Sequence, residues 1–275
     1  MKKLNISVLG CGWLGLPLLK SLVADGHQVK GSSRASETLA AIKTAGGEPF
    51  TIDLPQALPT DFMTDCDVLI FTLPPRGRVL GAAAKGRYLE CLTALAPWLV
   101  GAGGPAVIFT SSISIYGGAR CGTTTERNQP SPDTHSSVAV LSAEEWLAST
   151  RCPLTILRLG GLVSNDRHPG RFFGGKDRPI PQADAPVNLV HRDDVISAVK
   201  LCLENNEQLP AIYNVCAAAH PTKGDFYSSA AKSLGLEVAG TTPGGANGKL
   251  IDSSRLRARG WQPCWDDLDL EGLTE

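Results

Sequence analysis

The sequence predicts an α/β fold built on a doubly wound parallel sheet, and three observations carry that reading. Residues 5–16 read as a short apolar strand, a glycine-rich turn Gly10-x-Gly12-x-x-Gly15, and the start of an amphipathic helix. Short apolar runs then alternate with helical patterns along most of the chain, the alternation that builds parallel βαβ units with helices on both faces of a sheet. The composition is that of an ordinary globular chain: 275 residues, 43% hydrophobic and 19% charged. That is enough to bury a sizeable core.

Charge and composition also exclude partners. A net charge of −1 argues against nucleic acid or an acidic membrane as the main partner. No apolar run approaches the length of a transmembrane helix. The first eleven residues imitate a lipoprotein signal ending at Cys11, but the apolar stretch is too short and Asn5 interrupts it. The cytoplasm is therefore the expected location, with a small-molecule substrate as partner and neither nucleic acid nor membrane. The eight cysteines (11, 66, 91, 121, 152, 202, 216 and 264) show no CxxC pair and no metal-ligand spacing, so reduced thiols and no metal are expected.

The elements follow in order. Ile6–Leu9 is the first strand, and Leu14, Leu18, Leu22 and Val23 line one face of the first helix. Each glycine between them has its own task. Gly10 allows the tight turn, Gly12 lets backbone approach a pyrophosphate, and Gly15 lets the helix pack closely on the strand. The helix N-terminus offers N–H groups and a partial positive charge to phosphate, and Pro17 falls in the first turn, where a missing N–H does no harm. A dinucleotide is thus expected on Gly10, Cys11, Gly12, Trp13, Leu14 and Gly15.

Asp25-Gly26-His27 is a turn, and Gln28–Ser33 the second strand. An NAD site commonly places an acid at the end of that strand for the ribose 2′-hydroxyl. Here it ends Gly31-Ser32-Ser33-Arg34, and hydroxyls with a guanidinium suit a 2′-phosphate. NADP is favoured on that ground, with NAD as the other possibility; the bland reading leaves Arg34 solvated at a helix start. A helix over 36–45 leads to a third strand, Pro49–Leu54, in which Asp53 either faces the adenine or caps the next turn. Asp67–Leu73 is a strongly apolar fourth strand, and Leu73-Pro74-Pro75 then turns beside the expected cofactor. A long helix is predicted over 82–99 and a fifth strand over Ala106–Thr110.

That strand runs into Thr110-Ser111-Ser112-Ile113-Ser114-Ile115-Tyr116-Gly117. Strand C-terminal ends hold the ligands of open α/β sheets, so these hydroxyls are either ligand contacts, Ser111 to the cofactor among them, or a serine-rich turn. A polar loop over 118–133 precedes a helix, through about Thr150, capped by Asp133 or Thr134. Leu154–Leu159 is a sixth strand. Residues 167–178 are rich in glycine and cations, with Arg167, Arg171, Lys176 and Arg178 against Asp177. This loop either binds an anionic substrate group or is a solvated basic loop. A strand at Val187–Val190, a helix from Asp193 to Asn205 capped by its own aspartates, a strand at Ile212–Val215 and a helix near 222–234 complete the pattern.

Several of these stretches resemble the extended short-chain dehydrogenase/reductase superfamily, in its NAD-dependent epimerase/dehydratase branch. They are GCGWLG (10–15), TSSISIYG (110–117), LRLGGLV (157–163), VNLVHRDDV (187–195) and IYNVC (212–216). GWLGLPL, RHPGRFFGGK and YNVCAAAHP look like its YeeZ-like subgroup. The resemblance implies a Rossmann sheet over 1–160, completed by about 187–215. It also implies a small C-terminal α/β substrate-binding domain from 161–186 and 216–275. By position, Ser112 matches the family's catalytic serine, which polarises a substrate hydroxyl or carbonyl. The family's acid/base tyrosine, in a YxxxK pair, falls at Ser136 and Val140 here. Serine is a far weaker acid than tyrosine, and valine cannot tune a pKa.

Two functions are compatible with this. One is an NADP-dependent oxidoreductase or epimerase-like enzyme with a displaced acid/base. Tyr116 is then the first candidate, and His168, Arg171 and His191 are candidates for the substrate site. The other is a non-catalytic NADP-binding redox sensor. The faces of helices 82–99 and 134–150 either form a dimer or belong to the core, which makes the chain a monomer or a homodimer.

Overall fold

The computed structural model describes residues 2–100, 103–204 and 211–273. Seven strands form the central sheet: β1 (Asn5–Leu9), β2 (Gln28–Ser33), β3 (Glu48–Thr51), β4 (Val68–Phe71), β5 (Ala106–Ser112), β7 (Leu154–Leu159) and β10 (Ala211–Val215). Their spatial order is β10-β7-β5-β4-β1-β2-β3. The pairings β1–β2, β2–β3, β1–β4 and β4–β5 are all parallel. This is a Rossmann α/β fold, and the order reverses between β1 and β4. In such sheets the crevice outside the carboxyl ends at that reversal is the place for ligands.

The strands form where apolar residues run unbroken, because both faces are covered. Ile6, Val8 and Leu9, all of β4, and Val107, Ile108 and Phe109 are buried. Phe71 packs tilted against Phe109 and meets the Tyr88 ring edge-on, at 5.6 and 5.9 Å between ring centres. The helix after β1, α1 (Gly15–Ala24), buries Leu18, Leu19 and Leu22 against the sheet, and α2 (Ser36–Thr44) follows β2. A single turn, α3 (Thr60–Met63), was not apparent from the sequence.

The long helix expected over 82–99 is broken. Its span holds the end of a 3-10 turn over Gly81–Ala83, then α5 (Ala84–Thr93) and α6 (Ala96–Leu99), and a short helix, α4 (Gly77–Leu80), precedes it. Gly81 has φ of +54°. Pro97 would press its ring on the Thr93 carbonyl if α5 continued, so the helix stops there. The third strand ends at Thr51 instead of Leu54, which leaves Asp53 in the following loop. Thr134, rather than Asp133, caps α7 (His135–Ser149): its hydroxyl accepts the Ser137 N–H, and Ser137 Oγ accepts the Thr134 N–H.

The chain divides into two compact units, both discontinuous in sequence. The first is Met1–Ile115, Ser131–Leu157 and Val199–Ile212; the second is Tyr116–Pro130, Arg158–Ala198 and Tyr213–Glu275. In the second, β6 (Gly122–Thr124) pairs in parallel with β11 (Lys249–Ile251), and β8 (Gly161–Val163) with β9 (Leu189–His191). Val163, Val187, Leu189, Phe226 and Trp265 gather into its core, with α9 (Lys223–Ser233) supplying Phe226 and α10 (Ser254–Arg257) lying further on. The helix after β9, α8 (Arg192–Glu204), is not capped by its aspartates. His191 Nδ1 accepts the Asp193 N–H, and the buried Asp194 carboxylate instead accepts the N–H groups of Cys264 and Trp265 at 2.6 and 3.0 Å. The expected last residue of that helix, Asn205, lies outside the described residues. Among the described residues no helix is long and apolar enough to cross a membrane.

Candidate functional site

The glycine turn joins β1 to α1 at the sheet's reversal point. Gly10 has φ of +108°, and its N–H donates to Ser32 Oγ at 2.9 Å. A Cβ on Gly15 would lie 2.2 Å from the Gly10 carbonyl oxygen, so helix and strand approach closer than any side chain permits. A Cβ on Gly12 would meet no protein atom within 4 Å. The protein leaves open space on the outer side of the turn. No side chain caps the start of α1; within its first turn Leu16 and Leu18 donate to the carbonyls of Gly12 and Leu14, and Pro17 has no N–H.

The residues expected around this turn are brought together by the strands beside it. Leu73, past the end of β4, packs on Gly10, its Cδ2 2.7 Å from where a Cβ would be; its carbonyl accepts the Tyr88 hydroxyl at 2.6 Å. Pro74 and Pro75 continue outward, Pro74 exposed. Thr72, which the sequence did not single out, donates its hydroxyl to Gly10 O at 2.6 Å and pins the turn. Cys11 is buried, with its Sγ toward Val8 O, and burial pushes its thiol up to about 12. Leu14 is buried and Trp13 half-buried.

Ser32 is buried under the turn, and Ser33 Oγ accepts the Ala35 N–H at 3.1 Å. Arg34 is exposed and its Nη1 lies 3.3 Å from Asp53 Oδ1. These two residues, expected to meet different parts of a nucleotide, meet each other. At the end of β5 the two serines part. Ser111 points into the protein and donates its hydroxyl to the buried carboxylate of Glu144 on α7, so its side chain does not face outward as expected. Ser112 is half-buried and its Oγ accepts the Ser114 N–H at 3.1 Å. Nearby, a Cβ on Gly77 would be 2.3 Å from Ser136 Oγ and 2.5 Å from its N, so the turn after β4 lies directly on the first turn of α7.

Tyr116 belongs to the second unit and is enclosed. Its hydroxyl donates to Asn214 Oδ1 and accepts from Arg158 Nη1, each at 2.9 Å, with the guanidinium 5.2 Å from the ring centre. Asn214 in turn donates to the carbonyls of Thr124 and Asp252. Burial raises the phenol pKa and outweighs the opposing pull of Arg158. That is the wrong direction for a tyrosinate base. His168 is also buried; its Nδ1 accepts the Gly170 N–H and caps the 3-10 turn Pro169–Phe172. His191 caps α8, as above, with its ring 6.0 Å from that of Trp265. Arg171 is exposed. Of the other loop cations, Lys176 and Arg178 both donate to Phe172 O, and Arg178 lies over the Phe173 ring.

A glycine turn of this geometry at the reversal of a parallel sheet defines a dinucleotide-binding protein. The chain belongs to the NAD(P)H-binding family, whose model matches residues 10–206. It is 39% identical to Protein YeeZ of Escherichia coli K12 over 267 residues, 93% of each chain, and equally to that of E. coli O157:H7. Two solved structures with NAD share its fold. UDP-glucuronic acid 4-epimerase from Bacillus cereus has a TM-score of 0.76 at 16% identity over 98% of this chain and 96% of its own. A short-chain dehydrogenase/reductase superfamily protein from Agrobacterium tumefaciens has a TM-score of 0.76 at 18% identity over 98% and 94%. The chain is thus an NAD(P)-binding protein, and it shares the fold of these NAD-bound structures.

Proposed function

We propose that this protein binds NADP(H), accepts NAD(H) more weakly, and acts as an oxidoreductase or epimerase-like enzyme on a small anionic substrate. The observation that carries the cofactor half is the turn Gly10-x-Gly12-x-x-Gly15 at the sheet's reversal, with Gly12 exposed and Gly15 pressed on the Gly10 carbonyl. Arg34, exposed at the end of β2, favours the 2′-phosphate. When bound, the nicotinamide supplies hydride transfer. Ser112 is the group to polarise a substrate hydroxyl or carbonyl, and the second unit, with Arg171 and the loop around it, is the substrate-binding part.

A second reading, a cofactor sensor without turnover, is favoured by a different observation. Ser136 and Val140 stand where the family pattern has tyrosine and lysine, and the space beside Ser136 is filled by the Gly77 backbone. Tyr116 is locked in its own network.

Calorimetric titration with NADPH and NADH tests the cofactor half. NADPH is expected to bind the wild type more tightly, and Arg34→Ala to remove that preference while NADH binding survives. Failure of both nucleotides to bind would overturn the proposal. Hydride exchange between bound NADPH and a panel of small carbonyl acids, lost in Ser112→Ala, would separate enzyme from sensor.

A further inference from the structure

The segment after β4 runs from the glycine turn to the start of α7. At one end Leu73 packs on Gly10, and at the other Gly77 lies on Ser136. Between them stand Pro74, Pro75 and Arg76. Two prolines in succession fix two φ angles and restrain the residue before each, so the segment is stiff and sets its own direction of exit. Arg76 then turns the chain. Its φ of +53° and ψ of +28° are left-handed, and its carbonyl accepts the N–H groups of Val79 and Leu80 to begin α4.

A left-handed residue is a place for glycine or asparagine, and arginine adopts it at a conformational cost. The side chain gives the fold nothing in return. Arg34 and Arg87, exposed arginines of the same unit, meet Asp53 and Glu90. Arg76 is exposed, and among the described residues its guanidinium has no ion-pair or hydrogen-bond partner. Strained backbone kept without a structural gain is a mark of a working position.

Its neighbours define what it can do. β4 and β5 are parallel with Phe71 opposite Phe109, so Ser112 ends the strand beside the one that delivers Arg76. A guanidinium meets a carboxylate or phosphate with two parallel hydrogen bonds. The cofactor's diphosphate already has the glycine turn, and Arg76 stands at the far end of the segment, next to the Gly77–Ser136 contact. We infer that Arg76 binds the anionic group of the substrate, a carboxylate next to the carbonyl or hydroxyl that Ser112 polarises, which makes the substrate class a 2-oxo or 2-hydroxy acid. The inference rests on the dinucleotide-binding reading above and gives the first unit a share in recognising the substrate's charge.

The test uses oxamate, which carries a carboxylate beside an amide carbonyl that does not accept hydride, and its neutral counterpart oxamide. Each is titrated calorimetrically into the full chain loaded with NADPH, as wild type, Arg76→Gln, Arg76→Gly and Arg78→Gln. Arg78, exposed on α4, is the control for loss of one positive charge. Oxamate is expected to bind the wild type and oxamide not. Oxamate is expected to weaken about tenfold or more in both Arg76 variants, and by less than about twofold in Arg78→Gln. NADPH affinity, measured first, is expected to stay within about twofold in all four proteins. Arg76→Gly is also expected to melt no lower than the wild type, because glycine takes the left-handed turn freely.

A large fall in the melting temperature of Arg76→Gly would mean that the side chain serves the fold, and would overturn the inference. Weaker NADPH with unchanged oxamate would assign Arg76 to the cofactor's diphosphate and overturn it as well. So would oxamate binding that survives Arg76→Gln, or none to the loaded wild type. Failure of NADPH to bind the wild type would overturn the dinucleotide reading itself, and oxamate titrated into the cofactor-free chain would then judge Arg76 separately.

Discussion

At the scale of single residues, Gly12 and Gly15 sit three positions apart and answer a methyl group differently. Added to Gly15, it would collide with the Gly10 carbonyl oxygen at 2.2 Å, backbone against backbone. Gly15→Ala is expected to lower the melting temperature sharply, since the β1–α1 turn can relieve the clash only by opening. Added to Gly12, the methyl enters open space. Gly12→Ala is expected to keep or slightly raise stability, because alanine restricts the unfolded chain, and yet to weaken the dinucleotide by overpacking of about 1–3 kcal/mol, a factor of about 5 to 150. Melting curves with and without NADPH check both. A Gly12→Ala protein that binds normally would show that nothing occupies that space. The three glycines were legible because their spacing is a local property of the chain. The Arg34–Asp53 contact was not, since it depends on the register of β2 against β3. Nor was the turning of Ser111 toward Glu144, which depends on how α7 lies on β5.

At the scale of elements, legibility followed hydrophobic length. β7 (LTILRL) matches its expected limits to the residue, because a run of apolar and β-branched residues has few alternatives, while β2 (QVKGSS) matches its limits through the Asp25-Gly26-His27 turn before it and its place after the first helix. The three-residue strands β6, β8 and β11 could not be read. Each is too short to show a period, and the partner that makes it a strand is remote in sequence. The expected helix over 82–99 begins late, after the 3-10 turn Gly81–Ala83, and is interrupted before Pro97. The start of α7 shows what local chemistry does specify. Its first turn depends on the reciprocal Thr134–Ser137 bonds, and this helix carries Glu144 beneath the end of β5. Thr134→Ala is expected to cost about 1 kcal/mol, read as a shift of the denaturation midpoint at unchanged slope, and Thr134→Ser to restore most of it. An unchanged midpoint in the alanine variant would mean that packing on α5 holds the helix start without its cap.

At the scale of the whole molecule, the alternation of strands and helices implied a parallel sheet with right-handed connections, whereas its order β10-β7-β5-β4-β1-β2-β3 is one of several that such connections allow. The composition of the second unit did not follow, because it is assembled from three separated stretches of chain. The eight cysteines test the two units together, since each thiol reports the packing around it. Cys11, Cys152, Cys202 and Cys216 are buried, Cys66 and Cys91 half-buried, and Cys121 and Cys264 exposed. Burial pushes the thiols of Cys11 and Cys216 up to about 12 and raises those of Cys66, Cys91 and Cys152. Only a thiolate attacks a disulfide reagent, so both access and ionisation protect the interior. In the native protein near neutral pH, an aromatic disulfide reagent is expected to modify Cys121 and Cys264 first, and all eight only after denaturation, with peptide mass mapping to assign them. The informative position is Cys11. It sits inside the β1–α1 turn with its sulfur toward Val8 O, and its protection measures how often that turn opens. A bound dinucleotide holds the turn closed, so NADPH should slow the slow phase at Cys11 and leave Cys121 and Cys264 unaffected. Equal slowing at every thiol would mean that the nucleotide tightens the whole molecule, and no slowing at Cys11 would place the nucleotide away from the glycine turn.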